Sequence, residues 1–286
     1  MLDKGLMSII NKIPGYEKKR PFAGAFNMHP SGQTTSRPLK HSLPGSKKVF
    51  SLDYILDAIG LKDGMTISFH HCLRNGDAVM HYIISSIAKK GIKNLTLSAS
   101  SLSKVQDCLL PYFESGVITS VDTSGSRSEI GAYIQHDNLT RPVIFRTHGG
   151  RARAIESGEL HIDVAFIAAP ACDKFGNING VQGKSACGSL GYAMPDAEYA
   201  DYVVAVTDSL FENPLDYISI SQTQVDYITE VPSIGDSAGI TTGSIRISKD
   251  PAELVISKYA ADVITATEYF HDQMIFQFGT GGLALA

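Results

Sequence analysis

Short runs rich in Val, Ile, Leu and Phe alternate with helix-length segments along most of this 286-residue chain. Such runs are GMTISF (64–69), NLTLS (94–98) and HIDVAFIAA (161–169), and the amphipathic segment DAVMHYIISSIAKKG (77–91) stands between the first two. Near-continuous apolar strands separated by helices are typical of a parallel sheet whose two faces are covered. The sequence therefore predicts an α/β fold, with a mostly parallel sheet and helices on both faces.

The same patterns assign the remaining elements. A helix within SLDYILDAIG (51–60) is predicted to be capped by Ser51 and ended by Gly60, because a hydroxyl suits the N-cap and glycine suits the left-handed position after the last turn. The other predicted helices are 105–116, 128–138, 151–158 and 251–266, and the other predicted strands are 117–122, 143–147, 202–208 and 274–278.

Composition and pattern divide the chain into three regions. Residues 1–48 are rich in Pro, Gly, Ser and Lys without periodicity, so we expect an extended N-terminal arm. Residues 49–272 are predicted to form the α/β domain. A strand followed by a polar or glycine-rich turn occurs at TISF-HHCLRNGD and again at IFQF-GTGG, where no helix follows. Residues 273–286 are therefore expected to be the start of a second, truncated domain.

Charge and cysteine usage exclude several classes of function. The formal net charge is −4 and the pI is about 6.1, so no basic field favours nucleic acid. The four cysteines lack CxxC spacing, which favours reduced thiols over a disulfide framework or a zinc site. No apolar run approaches the roughly 20 residues that span a bilayer, and the first residues do not resemble a signal peptide. We expect a cytoplasmic protein without a membrane or nucleic-acid partner.

Residues 68–78, SFHHCLRNGDA, cross from a predicted strand into a predicted helix, where open parallel sheets bind ligands. A metal site is disfavoured, because adjacent side chains on a turn do not readily chelate one metal. A Cys72 nucleophile activated by His71 is disfavoured as well, because residues adjacent in sequence rarely face each other as nucleophile and base. Either the histidines pack at the strand end while Asp77 caps the helix, or the loop faces an anion and a thioester with donors from Arg74, Asn75 and Gly76. The second interpretation is favoured.

Four further segments could form anion-binding turns. FRTHGGRAR (145–153) combines glycine N–H groups with three arginines, although it could be a tight turn into a solvated helix, and TSGSR (123–127) is a weaker case. APACDKFGNINGVQGKSACGSLGY (169–192) is long enough for a functional loop, although its glycines also fit a series of β-turns. FGTGG (278–282) follows an apolar run and suits a phosphate or oxyanion turn.

Several long segments together resemble a single known family. They are GMTISFHHCLRNGDAV, KNLTLSASSLS, TSGSR, THGGR, SGELHIDVAFIAAPACDKFGNINGVQGKSACGSLGY and QFGTGGLALA, and they run from about residue 50 to the last residue. The family is that of the alpha subunits of bacterial citrate lyase, within the CoA-transferase superfamily. The resemblance implies a CoA-transferase-like fold. It also implies citrate CoA-transferase activity, in which citrate replaces acetate on the thioester of a CoA-like group during citrate fermentation to oxaloacetate and acetate.

The resemblance also implies partners and site residues. In this family the CoA-like group belongs to the gamma, or acyl carrier, subunit, and the beta subunit cleaves the citryl thioester. This chain is therefore expected to be part of an oligomer that contains both partners. No tightly bound cofactor and no metal are expected in this chain. The oxyanion and thioester donors are expected at His70, His71, Asn75, Gly76, Gly279, Gly281 and Gly282. The anion-binding residues are expected to be Arg74, Ser124, Arg127, Arg146, His148, Gly149, Gly150, Arg151, Asn177 and Asn179.

The sequence departs from the wider superfamily in one respect. Many CoA-transferases form an acyl-enzyme on a glutamate of their second half, and neither Glu129, Glu156 nor Glu159 matches that motif. We therefore assign no covalent nucleophile. Two alternatives stay open: a non-catalytic half that binds the carrier or the other lyase subunits, and a domain like a sugar-phosphate isomerase or sensor.

Overall fold

The computed structural model of the chain describes residues 42–136, 138–139, 141, 143–242, 247–276 and 282–286. All of them belong to one compact unit, residues 37–286. Most of the predicted N-terminal arm lies outside the described residues. Its last part is held by the domain, because the Ser42 and Lys47 N–H groups donate to the carbonyls of Thr223 and Lys174 at 2.5 and 2.7 Å.

Within the described residues one parallel sheet contains seven strands, which in chain order are β1 Thr66–Phe69, β2 Leu95–Ala99, β3 Ile118–Thr123, β4 Ile144–Phe145, β5 Val164–Ala169, β8 Tyr202–Thr207 and β10 Tyr227–Glu230. They lie side by side in the order β10–β8–β5–β1–β2–β3–β4. The predicted α/β class with a parallel sheet is confirmed. The strand order reverses between β1 and β5, and a crevice at the carboxyl ends of such strands is where open sheets bind ligands.

The helices are α1 Leu52–Ile59, α2 Val79–Lys89, α3 Leu110–Glu114, α4 Ser128–Gln135, α5 His148–Glu156, α6 Met194–Tyr199, α7 Ser237–Thr242, α8 Pro251–Thr265 and α9 Gly282–Leu285. The caps of α1 confirm its predicted bounds: the Ser51 hydroxyl accepts from the Tyr54 N–H, and Gly60 has a φ of 69°. The helix buries Leu52, Ile55, Leu56 and Ile59 in the core. None of the helices in the described ranges is long and apolar enough to cross a membrane.

A small second sheet was missed by the sequence patterns. It has the order β7–β6–β9, with β6 Ala171–Asp173, β7 Ile178–Asn179 and β9 Leu210–Phe211. Strands of two or three residues are too short to show an alternation of apolar and polar positions. Strand β10 was missed as well, since only its two central residues are buried.

Two predicted elements differ from the structure. The predicted helix 105–116 is a 3₁₀ helix, Lys104–Leu109, followed by α3, and Pro111 lies in the first turn of α3, where its missing N–H costs no hydrogen bond. The predicted strand 274–278 is wrong for residues 274–276, which adopt no regular structure, and Gln277 and Phe278 lie outside the described residues. Ile275 is 99% exposed. Residues 274–276 therefore pair with no strand in the part of the chain that the structure describes, so they lack the hydrogen bonds and the burial that a strand requires.

Candidate functional site

A cavity of about 350 Å³ lies where segments from the carboxyl edge of the sheet meet. Ser124 follows β3 directly, α5 begins three residues after β4, and the third wall comes from the end of the long segment after β5. The lining residues are Ser124, His148, Gly149, Arg151, Ala152, Ser189, Gly191, Tyr192 and Pro195. Four of the predicted anion-binding residues, Ser124, His148, Gly149 and Arg151, are thus brought together.

The first turn of α5 offers hydrogen-bond donors to this cavity. Thr147 is its N-cap, and the Thr147 hydroxyl accepts from the Gly150 N–H at 2.9 Å. The N–H groups of His148 and Gly149 have no acceptor among the described residues, as expected for the first turn of a helix. The buried hydroxyl oxygen of Ser124 likewise has no partner there. An anion in the cavity could accept hydrogen bonds from all three groups and would lie at the positive end of the helix dipole.

Arg151 forms a buried ion pair beneath this turn. Its side chain is 3% exposed, and its two terminal nitrogens donate to both carboxylate oxygens of Asp196 at 2.9 and 2.7 Å. The same guanidinium donates to the hydroxyls of Ser68 and Ser98 at 3.0 and 3.1 Å. Asp196 therefore neutralises the charge, which counts against the predicted role of Arg151 in binding a substrate anion. Only its Nε lacks a partner among the described residues.

Three rings join the loop after β1 to the cavity. The rings of His71 and His148 are stacked with centroids 5.5 Å apart, and the Tyr192 ring lies 4.7 Å from each. His71 is fixed by Ser100, whose hydroxyl is 2.5 Å from Nδ1. Burial, followed by the nearby His148, lowers the pKa of His71 to about 4. His71 is therefore a neutral ring at pH 7, and it supports the cavity wall rather than contributing a positive charge.

His70 ties the two central strands together. Its Nδ1 accepts from the Cys72 N–H at 3.2 Å, so the proton lies on Nε2, which donates to the Ala168 carbonyl of β5 at 3.0 Å. Burial lowers the pKa of His70 to about 4. Both nitrogens are therefore hydrogen-bonded inside the protein, which agrees with the packing interpretation of this histidine and counts against a role as an oxyanion donor.

The rest of the loop is also committed to packing. The Gly76 N–H donates to the Leu73 carbonyl at 3.0 Å, so it cannot serve an oxyanion. Gly76 is glycine because a Cβ there would lie 2.8 Å from the Ile240 N and nearer still to the Asp236 carbonyl oxygen. Asp77 accepts from the Val79 N–H at 2.9 Å, although the N-cap of α2 is Ala78, so Asp77 acts one residue before the predicted cap position.

Two polar residues of the same loop remain near its surface. The exposed Arg74 has a φ of 52°, and its guanidinium donates to the Ile240 carbonyl at 2.6 Å. The carboxamide oxygen of Asn75 accepts from the Ser103 hydroxyl at 3.3 Å. Neither residue lines the cavity.

Other predicted anion-binding residues are used for structure. Arg146 is paired with Asp122 at 2.8 Å and Glu159 at 2.7 Å, so it is not an uncommitted clamp. The buried carboxamides of Asn177 and Asn179 are likewise hydrogen-bonded inside the protein: Asn177 donates to the Asp173 carboxylate at 2.8 Å, and Asn179 donates to the Tyr217 carbonyl at 2.8 Å. Asn179 also accepts from the Val181 N–H at 3.0 Å. These contacts count against the predicted anion-binding roles of all three residues, because their polar groups already have partners.

The remaining predicted residues divide into two groups. Arg127 is exposed at the N-cap position of α4, and Gly282 begins α9. Gly279 and Gly281 lie outside the described residues. The sequence patterns missed Ser189, Gly191, Tyr192 and Pro195, although the segment 169–192 was predicted to be functional. The available signal was the Ser/Gly-rich stretch CGSLGY at its end.

One group of side chains at the opposite, amino-terminal edge of the sheet has metal-ligand chemistry. It comprises His161, Asp163 and Asp201, whose ligand atoms lie within 4.8 Å of one another. His161 Nε2 lies 2.9 Å from the Asp201 carboxylate, and Asp163 accepts from the Thr66 N–H at 2.7 Å. Hydrogen bonds and ion pairing within the protein therefore account for this arrangement.

Comparison with known proteins places these features in a family. The family model described as citrate lyase, alpha subunit, matches residues 45–286. The citrate lyase alpha chain of Haemophilus influenzae is 44% identical over 270 residues, which are 94% of this chain and 53% of that protein. The chain thus spans about half the length of the curated relatives it matches.

Solved structures agree with this assignment. The crystal structure of an alpha subunit of citrate lyase from Streptococcus mutans, in complex with citrate, superposes with a TM-score of 0.80 at 49% identity, covering 87% of this chain and 49% of that one. An acyl-CoA transferase from E. coli O157:H7, solved as a thioester complex with CoA, has a TM-score of 0.51 at 14% identity over 76% of this chain and 54% of that one, which shows a shared fold alone. The chain belongs to the citrate lyase alpha subunit family.

Proposed function

We propose that this chain exchanges acyl groups between thioester and citrate: it transfers the thiol of a CoA-like carrier from an acetyl thioester to citrate, giving a citryl thioester and acetate. Family membership and the citrate complex of the Streptococcus mutans relative support the choice of substrate. The observation that carries the proposal is the cavity at the carboxyl edge of the sheet, which is lined by the first turn of α5 and by Ser124. Among the described residues, two N–H groups of that turn and the Ser124 hydroxyl have no hydrogen-bond partner.

These donors suit the charge changes of acyl exchange. Attack of a carboxylate on a thioester carbonyl develops negative charge on the carbonyl oxygen, and preorganised N–H and O–H donors stabilise it. A citrate carboxylate requires the same kind of donor. The rings of His71, His148 and Tyr192 contact one another beside the cavity. We propose that they limit the access of water to bound substrate, because exclusion of water strengthens electrostatic interactions in a site.

Citrate carries several negative charges, so cations are needed near the cavity. Arg146 and Arg151 are neutralised by carboxylates, and this leaves Arg74 and Arg127 as the proposed partners. Arg127 is exposed three residues after the cavity residue Ser124. Arg74 lies three residues after His71 in the loop that follows β1, which supports its choice.

The partners follow from the same chemistry. The thiol donor is CoA or the CoA-like group of an acyl carrier subunit, which we propose to be the gamma subunit of a citrate lyase complex that also contains a beta subunit. No residue of this chain is proposed as a covalent nucleophile. In the proposed exchange a citrate carboxylate attacks the acetyl carbonyl and releases the carrier thiolate, which leaves a mixed anhydride. The thiolate then attacks the citryl carbonyl of that anhydride, which forms the citryl thioester and releases acetate.

The test uses the 286-residue chain with acetyl-CoA or acetylated carrier and isotopically labelled citrate. Formation of labelled citryl thioester with release of acetate supports the transferase. Citrate or carrier binding without exchange would favour the non-catalytic alternative, and calorimetric binding of sugar phosphates without citrate binding would favour the isomerase or sensor alternative.

A matched pair of variants tests the cationic partner. Arg127→Ala is expected to weaken citrate binding about tenfold or more, because a charge-assisted contact is worth about 1.5 kcal/mol or more. Arg153→Ala, on the exposed side of α5 with a side chain 62% exposed, should leave the affinity unchanged. Equal affinities for both variants would remove Arg127 from the site.

A further inference from the structure

Three side chains with metal-ligand chemistry meet at the amino-terminal edge of the sheet. Asp163 stands immediately before β5, Asp201 stands immediately before β8, and His161 stands two residues before Asp163. One nitrogen of the histidine and one oxygen of each carboxylate lie within 4.8 Å of one another. The group lies at the opposite edge of the sheet from the cavity, so it is separate from the candidate site there.

The local sequence explains why the three side chains converge. Ile162, which stands between His161 and Asp163, is 1% exposed and points into the core, so the two flanking side chains point towards the surface. The Asp201 N–H donates to the Ile162 carbonyl at 3.0 Å, which extends the parallel pairing of β5 with β8. Asp201 is thereby brought beside the other two residues.

The distances suit a metal ion with short bonds to nitrogen and oxygen. His161 Nε2 lies 3.5 Å from Asp163 Oδ1 and 2.9 Å from Asp201 Oδ2. Two ligand atoms that are each about 2.1 Å from one zinc ion stand about 2.9 to 3.4 Å apart, for angles between about 90° and the tetrahedral value. A proton on Nε2 is donated to one carboxylate at a time, whereas a metal ion binds the imidazole and both carboxylates together.

The backbone holds the ligands in place. The second carboxylate oxygen of Asp163 accepts from the Thr66 N–H at 2.7 Å, and the Asp163 N–H donates to the Thr66 carbonyl at 3.0 Å. This carboxylate is therefore fixed in the orientation that turns Oδ1 towards His161. Ligands on rigid strand ends, oriented by further hydrogen bonds, need little reorganisation to bind a metal. The His161 and Asp201 side chains are 41% and 44% exposed, which gives an ion access from solvent.

We propose that His161, Asp163 and Asp201 form a binding site for a divalent transition-metal ion, with Zn²⁺ as the best match. The imidazole favours Zn²⁺ over Mg²⁺, which requires oxygen ligands and octahedral geometry, and the two carboxylates balance the charge of the ion. The imidazole binds through Nε2, and any proton on that nitrogen is released to solvent.

The role of this ion is structural. It joins the starts of β5 and β8 and so stabilises the folded chain, without contact with the cavity at the other edge of the sheet. The family resemblance implies no metal in this chain, so the site is a departure from it. Binding of Zn²⁺ does not depend on the proposed function, and failure of citrate exchange leaves it intact.

The test titrates the 286-residue chain with Zn²⁺ in a calorimeter, after treatment with EDTA and dialysis. One Zn²⁺ should bind per chain, and Mg²⁺ should bind at least tenfold more weakly. With free Zn²⁺ at 100 times its Kd, the Tm should rise by about 5 °C or more, because the ion binds the folded chain alone. The absorption spectrum of the Co²⁺ complex should show nitrogen and oxygen ligands, without the charge-transfer band of a cobalt–thiolate bond.

Two variants and a matched control identify the ligands. His161→Gln and Asp201→Asn change exposed side chains and should fold, which circular dichroism checks, but each should weaken Zn²⁺ binding tenfold or more and abolish the rise in Tm. His271→Gln replaces another exposed histidine that stands next to an aspartate, and it should bind Zn²⁺ as the unchanged chain does. The proposal is overturned if the chain binds no Zn²⁺, if both site variants keep the full affinity, if the control loses affinity equally, or if Co²⁺ reports thiolate ligands.

Discussion

The buried ion pair between Arg151 and Asp196 gives the sharpest test of how this domain is held together. The change Asp196→Asn keeps the size of the side chain but removes its charge and one of its two acceptor oxygens. Arg151 donates to both oxygens and is 3% exposed, so the variant leaves a cation buried without a counterion. The Ser68 hydroxyl, which also contacts Asp196, cannot neutralise it.

The expected cost is large. Two unit charges about 4 Å apart attract by about 4 kcal/mol at an effective dielectric constant of about 20. Breaking a buried pair by removing one partner typically costs about 3–5 kcal/mol. We therefore expect Asp196→Asn and Arg151→Met each to lower the free energy of unfolding by about 3–5 kcal/mol. The double change R151M/D196L should cost less than the sum of the single changes, because it leaves no unpaired charge.

Urea unfolding followed by circular dichroism measures these differences. The matched control is Asp262→Asn, which breaks the exposed pair between Lys258 and Asp262 on α8, where the side chains are 73% and 58% exposed. An exposed pair of this kind is worth about 0.5 kcal/mol or less. The reasoning is refuted if Asp196→Asn costs no more than this control, or if the double change costs the full sum of the single changes.

Three further results are expected. As the pH falls from about 6.5 to about 4, the lowered pKa values of His70 and His71 should each reduce the free energy of unfolding by up to about 3 kcal/mol, because the unfolded chain takes up their protons first. Asp77 acts in the opposite direction, because burial raises its pKa to about 6 and the folded chain takes up its proton first. The slope of stability against pH should therefore be shallower in His71→Asn, and an equal slope would contradict the assignment of a lowered pKa. Gly76→Ala should cost about 1–3 kcal/mol in urea unfolding, since its Cβ would meet backbone at 2.8 Å; a midpoint equal to that of the unchanged chain would count against this close contact. Gly149→Ala, whose Cβ meets nothing within 4 Å, should keep or slightly raise the Tm. Calorimetry should show that Gly149→Ala binds citrate about tenfold more weakly than the unchanged chain, because the added methyl group narrows the cavity. An undiminished affinity would show that citrate binds elsewhere.

The sequence was sufficient for features that depend on local pattern. Strand β5 is buried along its whole length and shows a continuous apolar run, and Ser51 and Gly60 mark α1 because capping depends on neighbouring residues alone. It could also be predicted that the loops after β3 and β4 lie close together, since the carboxyl ends of parallel strands lie at the same edge of a sheet.

Long-range pairing could not be predicted in this way. Nothing near Arg151 in sequence shows that Asp196, on another helix, will neutralise it. A chain of apolar residues at 274–276 has the composition of a strand, but a strand exists only where a neighbour supplies its hydrogen bonds. Nothing in the sequence around Tyr192 marks it as a site residue. Its place in the cavity wall depends on ring contacts with His71 and His148, which come from two other segments of the chain.

The junction between β1 and β5 has a consequence for the cavity beside it. These two strands pair over two residues, whereas β1 and β2 pair over four and β5 and β8 over six. The sheet thus consists of two blocks, each continuous in sequence, joined along a narrow seam where His70 donates to the Ala168 carbonyl near the cavity and Asp163 bonds to the Thr66 backbone at the other end. Because the two strands share so few hydrogen bonds of their own, these side chains supply much of the connection between the blocks, and the width of the cleft depends on them.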